Sequence, residues 1–440
     1  MQRYDTYKDS GVKWLGEIPS HWEIISTKYI AKLYTGNSLN DASKEKYSLF
    51  SDDSYPYIAS KDISLGTGTV DYDNGLYIPK DKSFFEIAPK NSFLLCIEGG
   101  SAGRKKAFLD RNCCFVNKLC CFDSALNPKY HYYFIQGDYF RTMFNCSLQG
   151  MIGGVSVSAL KNFYTIVPPL EEQTAIANYL DTATAKIDAA IAQQQKMIDL
   201  LNERKQIIIN RAVTKGLNPN AKMKDSGVEW IGVIPEKWEV CALKHYCLLT
   251  NGDRGPNYPS GEDIKDSGVL FATADNIHGL RIEVKDGTKY ITKEKYNTLR
   301  GAKMRKGDIV FCLRGAGFGN CAINDLFDEG TIASSLVNIT PLNIDCEFMN
   351  YVLHSAYIRM QEIFSSNGSC ADNVSAQDLG DYLIVVPQKD DQKKIVNAIT
   401  STILPIDRLI KNTNNQISLL QERKQIIINE VVTGKVKVTN

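Results

Sequence analysis

Hydrophobic residues recur every seven positions near the end of each half of the chain. We use the term seam for these positions, which are Leu180, Ile187, Gln194, Leu201 and Ile208 in the first half and Ile399, Ile406, Thr413, Leu420 and Ile427 in the second. A seven-residue apolar repeat is typical of helices that pair as a coiled coil. Because a polar residue at a seam position can fix register, Gln194 and Thr413 predict that the two seams pack in one alignment.

Proline and glycine predict where these helices begin and end. Pro405 disfavours helix at the preceding residue and lacks a backbone donor, so we expect each helical region to be split. The predicted pairs are a short and a long helix at 170–181 and 184–213, and again at 390–402 and 404–432. Gly216 and Gly434 follow as terminators. A helix of about 27 residues would span roughly 40 Å.

The chain is a tandem duplication of about 220 residues per copy. The segment 8–23, which begins Lys-Asp-Ser-Gly-Val and ends Trp-Glu, returns at 224–239. The eight residues Glu203–Asn210 recur letter for letter as Glu422–Asn429. Two repeated blocks at nearly the same offset define an internal repeat.

Between the repeated blocks, short runs of Tyr, Phe, Val and Ile alternate with Gly, Asn and Asp, which predicts strands and turns with a few helices. The predicted fold class is α+β, a tandem duplication of a mixed α/β domain followed by long helices that pair as a coiled coil. The two α/β domains share a fold but differ in their side chains. The predicted segments are a repeated entry segment 1–24, a first domain 25–168, a central helical spacer 169–216, a linker and second entry segment 217–240, a second domain 241–386 and a C-terminal helical spacer 387–440.

Composition narrows the class of protein. The 440 residues allow two to four domains. No apolar run approaches the ~18 residues of a membrane span, and the polar amino terminus lacks the apolar core of a signal peptide. Twelve cysteines are too sparse for a disulfide scaffold and lie mostly in apolar runs, which indicates reduced thiols and a cytoplasmic location. The formal charge of +1 means that any polyanion must bind to local basic patches.

Catalytic and cofactor motifs are missing from the sequence. It has no Gly-x-x-x-x-Gly-Lys-Ser/Thr loop for a nucleotide. The glycine-rich segment Gly315–Gly319 resembles a cofactor loop, but its partner Gly99–Gly103 has a different glycine pattern, so we interpret both as tight turns. The cysteines and histidines lack zinc spacing. We therefore predict no catalytic residues, no metal ligands and no cofactor in this chain.

Basic residues cluster beside both glycine turns. The segment 281–314 contains ten Lys and Arg against four Asp and Glu. Such a cluster is most often a solvated face, but here it recurs beside the same turn, and Lys and Arg bind phosphates while Arg and Asn bind base edges. The candidate DNA-binding residues are Arg104, Lys105, Lys106, Arg111, Arg281, Arg305, Lys306, Arg314 and Asn320.

Over nearly its full length the chain resembles the specificity subunits of type I restriction–modification enzymes. The residues that support the resemblance are Asp9-Ser10-Gly11-Val12 with Trp14, Ile18-Pro19 and Trp22, Ile166-Val167-Pro168-Pro169-Leu170-Glu171-Glu172-Gln173, and Glu203-Arg204-Lys205-Gln206 with Ala212-Val213-Thr214-Lys215-Gly216. The second copy departs at Val386-Pro387-Gln388, where one proline is lost.

The resemblance implies a non-catalytic subunit with two target-recognition domains held apart by paired helices. Each domain would recognise half of a split sequence in double-stranded DNA, and a 40 Å spacing would suit about one turn of B-DNA. The implied partners are two modification subunits, which methylate adenine, and motor-nuclease restriction subunits. These partners would use S-adenosylmethionine, ATP and Mg.

Three alternatives stay open at this point. The chain could serve a related system in which methyltransferase and nuclease share one partner chain. It could be a self-contained DNA methyltransferase, although the required motifs are absent from the sequence. It could also be a coiled-coil adaptor that does not contact DNA.

Overall fold

The computed structural model describes residues 2–12, 15–48, 50–149, 153–366 and 373–438. The chain forms two compact units, which we call unit 1 (residues 1–195 with 414–440) and unit 2 (residues 196–413). Lys13 and Trp14, within the first repeated segment, lie outside the described residues. The domain limits predicted from the sequence remain a prediction.

Unit 1 combines short strands with helices. Its strands are β1 (Tyr7–Asp9), β2 (Glu17–Pro19), β3 (Glu23–Ser26), β4 (Ala31–Thr35), β5 (Ser54–Ile58), β6 (Tyr77–Pro79), β7 (Ile87–Ala88), β8 (Phe93–Cys96), β9 (Lys106–Phe108), β10 (Cys113–Phe115), β11 (Leu119–Ser124) and β12 (Tyr164–Val167). Its helices are α1 (Asp41–Lys46), α2 (Pro128–Phe134), α3 (Asp138–Cys146), α4 (Val157–Lys161) and the first part of α5 (Leu170–Lys215).

Two four-stranded sheets form the body of unit 1, in the orders β6-β5-β10-β7 and β4-β11-β8-β9. Strand β8 is buried at every residue because its alternate side chains enter two different cores. Phe93 and Leu95 pack with the helices, whereas Leu94 and Cys96 pack with β5 and β10. Only β5 and β10 pair in parallel; the other strand pairs in these two sheets are antiparallel.

Unit 2 repeats this plan. Its strands are β13 (Met223–Asp225), β14 (Val233–Pro235), β15 (Glu239–Ala242), β16 (Cys247–Asn251), β17 (Val269–Ala272), β18 (Tyr290–Ile291), β19 (Ile309–Cys312), β20 (Cys321–Ile323), β21 (Gly330–Ile332), β22 (Leu336–Pro341) and β23 (Leu383–Val386). Its helices are α6 (Lys293–Thr298), α7 (Cys346–Leu353), α8 (Ala356–Ser366), α9 (Ala376–Gly380) and the first part of α10 (Lys389–Val432).

The sheets of unit 2 match those of unit 1 except at one strand, because in the described part of the chain the sheet β18-β17-β21 has no counterpart of β7. The order β16-β22-β19-β20 corresponds to β4-β11-β8-β9, and β17 pairs with β21 in parallel as β5 pairs with β10. Strand β19 also divides its side chains between two cores, with Ile309 and Phe311 in one and Val310 and Cys312 in the other. The predicted α+β fold with a tandem duplication is therefore confirmed.

Each long helix is continuous, so the prediction of a short helix followed by a long one is wrong. Helix α5 has 46 residues and α10 has 44, and Pro405 lies inside α10. Pro405 is exposed, so the carbonyl that loses its helical donor can bind water. Its neighbour Ile403 is buried in the core, and this packing favours an unbroken helix. Gly216 and Gly434 follow the helices with φ of 70° and 73°, as predicted for terminators.

Within each unit, segments of α5 and α10 pack together in antiparallel directions. In unit 1, Leu180 shares a core with Ile428 and Val432, and Asp188 is paired with Lys424 at 2.7 Å. In unit 2, Lys205 is paired with Asp407. Ala212, seven residues after Lys205, and Ile399, eight residues before Asp407, share a core. The predicted pairing of the helical regions is thus present inside both units.

The predicted seam positions lie on the packed side of both helices. Leu180, Ile187, Ile399 and Thr413 are buried, and Gln194, Leu201, Ile208, Ile406, Leu420 and Ile427 are half-buried. The hydroxyl of Thr413 donates to the carbonyl of Leu409 in its own helix at 2.8 Å. The role of Gln194 and Thr413 in register stays a prediction. None of the helices in the described residues is long and apolar enough to cross a membrane.

Candidate nucleic-acid interface

Two turns lie side by side in unit 1. The glycine turn Gly99–Gly103 follows β8, and a 3₁₀ turn at Ser60–Asp62 follows β5. Lys105 joins them, because its Nζ donates to the carbonyl of Ser60 at 2.8 Å. The Sγ of Cys96, at the end of β8, lies 3.7 Å from the Ser60 hydroxyl. We call this arrangement a paired turn.

The same paired turn is present in unit 2. The glycine turn Gly315–Gly319 follows β19, and a 3₁₀ turn at Ala274–Asn276 follows β17. They are close enough that a Cβ added to Gly317 would lie 3.5 Å from both the Cβ of Ala274 and the Sγ of Cys312. Both units therefore bring equivalent backbone segments together at equivalent places.

Glycine is required in these turns by the backbone. Gly103 and Gly319 have φ of 71° and 77°, which side chains rarely adopt. A Cβ at Gly103 would also lie 2.7 Å from the ring of Phe144. These constraints explain the glycines structurally, in agreement with their interpretation as tight turns.

The side chains beside the two glycine turns differ in charge. Glu98 precedes the turn of unit 1 and is exposed, whereas Arg314 stands at the same position, 216 residues later, in unit 2. Arg104 and Asn320 are likewise equivalent in position. The Nη2 of Arg314 donates to the carbonyl of Ser334 at 2.9 Å, and the Nη2 of Arg254 donates to the same oxygen at 3.3 Å. Two guanidinium groups therefore converge in unit 2.

The basic candidates of unit 1 are not all at the paired turn. Arg104 is exposed there, with its Nη1 3.5 Å from the carbonyl of Gly100, and Lys105 spans the two turns. Lys106 points into the fold: its Nζ donates to the carbonyl of Ile135 at 3.1 Å, and burial lowers its pKa to about 8. Arg111 lies over the ring of Tyr72 and pairs with Asp110 at 3.2 Å, in another part of the unit.

The basic candidates of unit 2 also fall into separate groups. Arg281 is held between Asp325 at 2.7 Å and Glu347 at 2.8 Å. Burial opposes its charge, but these two carboxylates raise the pKa of Arg281 overall. Arg305 and Lys306 are exposed in the turn before β19. Asn320 is half-buried, and its backbone carbonyl accepts from the amide of Cys312 at 2.8 Å.

Other lysines of the predicted basic cluster are neutralised locally. Lys293 pairs with Glu329, and Lys295 pairs with Asp263 at 2.9 Å. The excess of positive charge counted along 281–314 is therefore smaller at the surface than in the sequence, because acidic partners come from other segments.

Arg254 and the two 3₁₀ turns were not predicted from the sequence to belong to the site. Arg254 lies outside the basic run and reaches the paired turn only through the fold. One signal in the sequence could have indicated Arg254. Gly36 and Gly252 are 216 residues apart, and the chain at Gly36 passes against the backbone of β10 as the chain at Gly252 passes against that of β21. Arg254 follows this crossing by two residues.

No group of three or more His, Cys, Asp or Glu side chains in the described part of the chain is arranged to hold a metal ion. The thiols of Cys113, Cys120 and Cys321 are buried, and burial raises the pKa of each above the ordinary value for cysteine. Raised pKa values keep these thiols protonated and unreactive.

Comparisons with known proteins place the chain in a family. The sequence profile of the type I restriction modification DNA specificity domain matches residues 19–198 and again residues 235–419. The type I restriction enzyme MjaVIII specificity subunit of Methanocaldococcus jannaschii is 24% identical, over 99% of this chain and 98% of its own length. The type I restriction enzyme EcoBI specificity subunit of Escherichia coli is also 24% identical, over 97% of this chain and 89% of its own.

A solved structure shares the fold. It comes from a study of complex assembly and conformational transition in a type I R-M system, and it matches with a TM-score of 0.65 and 13% identity, over 95% of this chain and 99% of that one. The two matches of the family profile cover both copies of the duplication. The resemblance seen in the sequence is confirmed: the chain belongs to the family of type I restriction–modification DNA specificity subunits.

Proposed function

We propose that each unit of this specificity subunit recognises one half of a split sequence in duplex DNA, through the surface around its paired turn. The observation that supports this most is the recurrence of the paired turn in both units with side chains that differ in charge, Glu98 and Arg104 in one and Arg314 and Asn320 in the other. A shared backbone with unlike side chains is what two similar domains need to bind two different half-sites.

The side chains at the two turns have the chemistry for both kinds of DNA contact. Arg254 and Arg314 in unit 2, and Arg104 in unit 1, can bind phosphates or a guanine edge, while Glu98 can accept from the amino group of cytosine. Arg281 is held between two carboxylates and Lys106 points into the fold, so both contribute less to the proposed surface.

We further propose that two modification subunits bind to equivalent faces of the long helices. Leu200 and Ile207 on α5 are 53% and 59% exposed, and their repeats Leu419 and Ile426 on α10 are 64% and 47% exposed. The identical eight-residue blocks include Ile207 and Ile426. Solvent-exposed apolar residues that are repeated while the domains around them differ suit the same partner binding twice.

The chemistry of the system would then belong to the partners. Modification subunits would supply adenine methylation with S-adenosylmethionine, and restriction subunits would use ATP and Mg to translocate and cut DNA, in the cytoplasm. A related system in which one partner chain combines methyltransferase and nuclease is the second candidate. The number and identity of methyltransferase chains that co-purify with this subunit distinguish the two.

A domain exchange tests the proposed recognition. Residues 25–165 are replaced by the equivalent region of a relative, and the methylated adenines of the host genome are mapped. We expect one half of the methylated motif to change and the other half to stay the same. A matched exchange of residues 241–386 should change the opposite half. If either exchange altered both halves, recognition by two separate domains would be wrong.

A further inference from the structure

Tyr4 fills a cleft in unit 1 between the first entry segment and the first turn of α5. Its side chain is almost fully buried, and its hydroxyl donates to Oε2 of Glu172 at 2.8 Å. Its ring lies edge-on to Trp22, with 5.4 Å between the ring centroids, and the Trp22 Nε1 donates to the same carboxylate at 3.0 Å. The cleft therefore presents an aromatic wall and a carboxylate acceptor to a phenol.

Unit 2 has the same cleft without the tyrosine. Trp238 repeats Trp22, Asp391 repeats Glu172, and the position of Tyr4 is taken by Asn220, which is exposed. These three residues line a cavity of about 520 Å³ in unit 2. We call it the Trp238 cleft.

The Trp238 cleft has a tryptophan, which is 5% exposed, and a carboxylate at the positions of the two residues that hold Tyr4 in unit 1. Gly216 passes so close to Trp238 that a Cβ would lie 3.0 Å from the indole, as Gly434 passes Trp22, so both tryptophans are held by a glycine after a long helix. The side chain of Asp391 is 43% exposed, against 16% for Glu172, and its Oδ1 pairs with the Lys394 Nζ at 3.4 Å, so a phenol would donate to its second oxygen. Lys394 lines the cleft, and a lysine also lies over Tyr4, where the Lys437 Nζ is 6.0 Å from the ring.

We propose that the Trp238 cleft binds a tyrosine side chain of the modification subunit. The identity of this partner rests on the proposed function; the chemistry of the cleft does not. The identity of the partner is inferred from the position of the cleft along α5. Lys215 and Gly216 line the cleft, and they follow Ile207 by about two helical turns. Ile207 belongs to the exposed apolar pair that is proposed to bind the modification subunit. Unit 1 supplies its own tyrosine at this place, and unit 2 receives one from outside.

The chemistry of the cleft is tested with p-cresol, which is the side chain of tyrosine, by ligand-observed NMR on the full chain. We expect saturable binding at one site, at least tenfold weaker binding of toluene, which lacks the hydroxyl, and loss of the site in Asn220→Tyr, because a tyrosine there would fill the cleft as Tyr4 does. Tyr4→Ala should create a second site. Binding that persists in Asn220→Tyr, or that is equal for toluene, would overturn the proposal.

The partner is tested on the complex with the modification subunit. Once the complex has formed, p-cresol should no longer bind to the Trp238 cleft, and Asn220→Tyr should bind the modification subunit at least tenfold more weakly than Asn220→Gln, which leaves the cleft open. A complex that still binds p-cresol, or equal affinities of the two variants, would contradict the role of the cleft alone. A chain that forms no complex would contradict both this role and the proposed function.

Discussion

The basic residues of unit 2 differ in the groups to which their side chains donate hydrogen bonds. Arg281 has two carboxylate partners, Asp325 and Glu347, whereas Arg314 donates to the backbone carbonyl of Ser334 beside the paired turn. A guanidinium with a neutral partner keeps most of its charge available to a phosphate, whereas one between two carboxylates does not. This difference separates candidates that the sequence groups together.

A pair of alanine variants tests that separation. Arg314→Ala should weaken DNA binding several-fold and lower the slope of log affinity against log salt by up to about 0.9, the value for one phosphate contact, with little change in thermal stability. Arg281→Ala should lower thermal stability, because it leaves Asp325 and Glu347 close together without a cation. Binding titrations over a range of salt, with melting curves, measure both. Equal loss of stability in both variants would make Arg314 a structural residue.

A buried histidine makes stability depend on pH. His131 is completely buried beside Phe93 and Phe122, and burial lowers its pKa to about 3. The unfolded chain binds this proton near pH 6.5, so the stabilisation is fully present above that pH and declines as pH falls towards 3. One proton changes the free energy of unfolding by at most about 1.4 kcal/mol per pH unit. Denaturant unfolding at pH 7 and pH 5 should show this dependence, and His131→Gln should reduce it, leaving the part due to His354, whose pKa is also lowered by burial. An unchanged slope in the variant would contradict the assignment.

Glu172, whose carboxylate accepts a hydrogen bond from Tyr4, also makes stability decline as pH falls, but at lower pH than His131. Burial opposes the charge of Glu172, but hydrogen bonds from His21, Tyr4 and Trp22 lower its pKa below the ordinary value. Its contribution is therefore present above the ordinary pKa of glutamate and declines as pH falls below it. His131 and Glu172 act over different ranges, so the two are separable in one titration.

The duplication and the strand-rich domains could be predicted from the sequence, whereas the continuity of the two long helices could not. The repeated blocks predict two copies, and both copies share the strand pairing of one four-stranded sheet and the parallel strand pair of the other sheet. The predicted break at Pro405 is wrong because local propensity does not include tertiary contacts. Ile403 packs in the core, whereas Pro405 faces solvent. The candidate site was predicted only in part for a similar reason: Arg104 and Arg314 adjoin a recognisable turn, but Arg254 and the acidic partners of Arg281 come from distant segments.

The repeated apolar pairs on the helices test the proposed partners. Leu200→Ser with Ile207→Ser should remove one of two bound modification subunits, and Leu419→Ser with Ile426→Ser should remove the other, because each pair is exposed before assembly. Native mass spectrometry of the complexes gives the number of bound subunits. Leu404→Ser is the matched control, since Leu404 is 47% exposed but has alanine at the repeated position, Ala185. If the control lost a subunit equally, the two repeated pairs would have no special role.

At the scale of the whole molecule, the two long helices are the only secondary-structure elements of the described chain that belong to both units. Helix α5 leaves unit 1 after Gln195, and α10 leaves unit 2 after Thr413. The linker at 216–222, which leads to β13, lies within unit 2 and does not connect the two units. These helices are the two covalent connections between the units, so we expect the spacing of the two proposed half-sites to depend on them.

Lengthening both helices tests this dependence. Seven residues inserted after Gln195 and seven after Thr413 preserve the seven-residue seam and add about 10 Å to each helix. At about 3.4 Å per base pair, the gap between two unchanged half-sites should grow by about three base pairs, with DNA twist adjusting to the added rotation. Mapping methylated adenines in cells that express the variant measures the gap. An insertion in α5 alone is the control and should impair methylation, because the partner helix keeps its original length. A doubly lengthened variant that methylates sites with the original gap would show that the helices do not set the spacing.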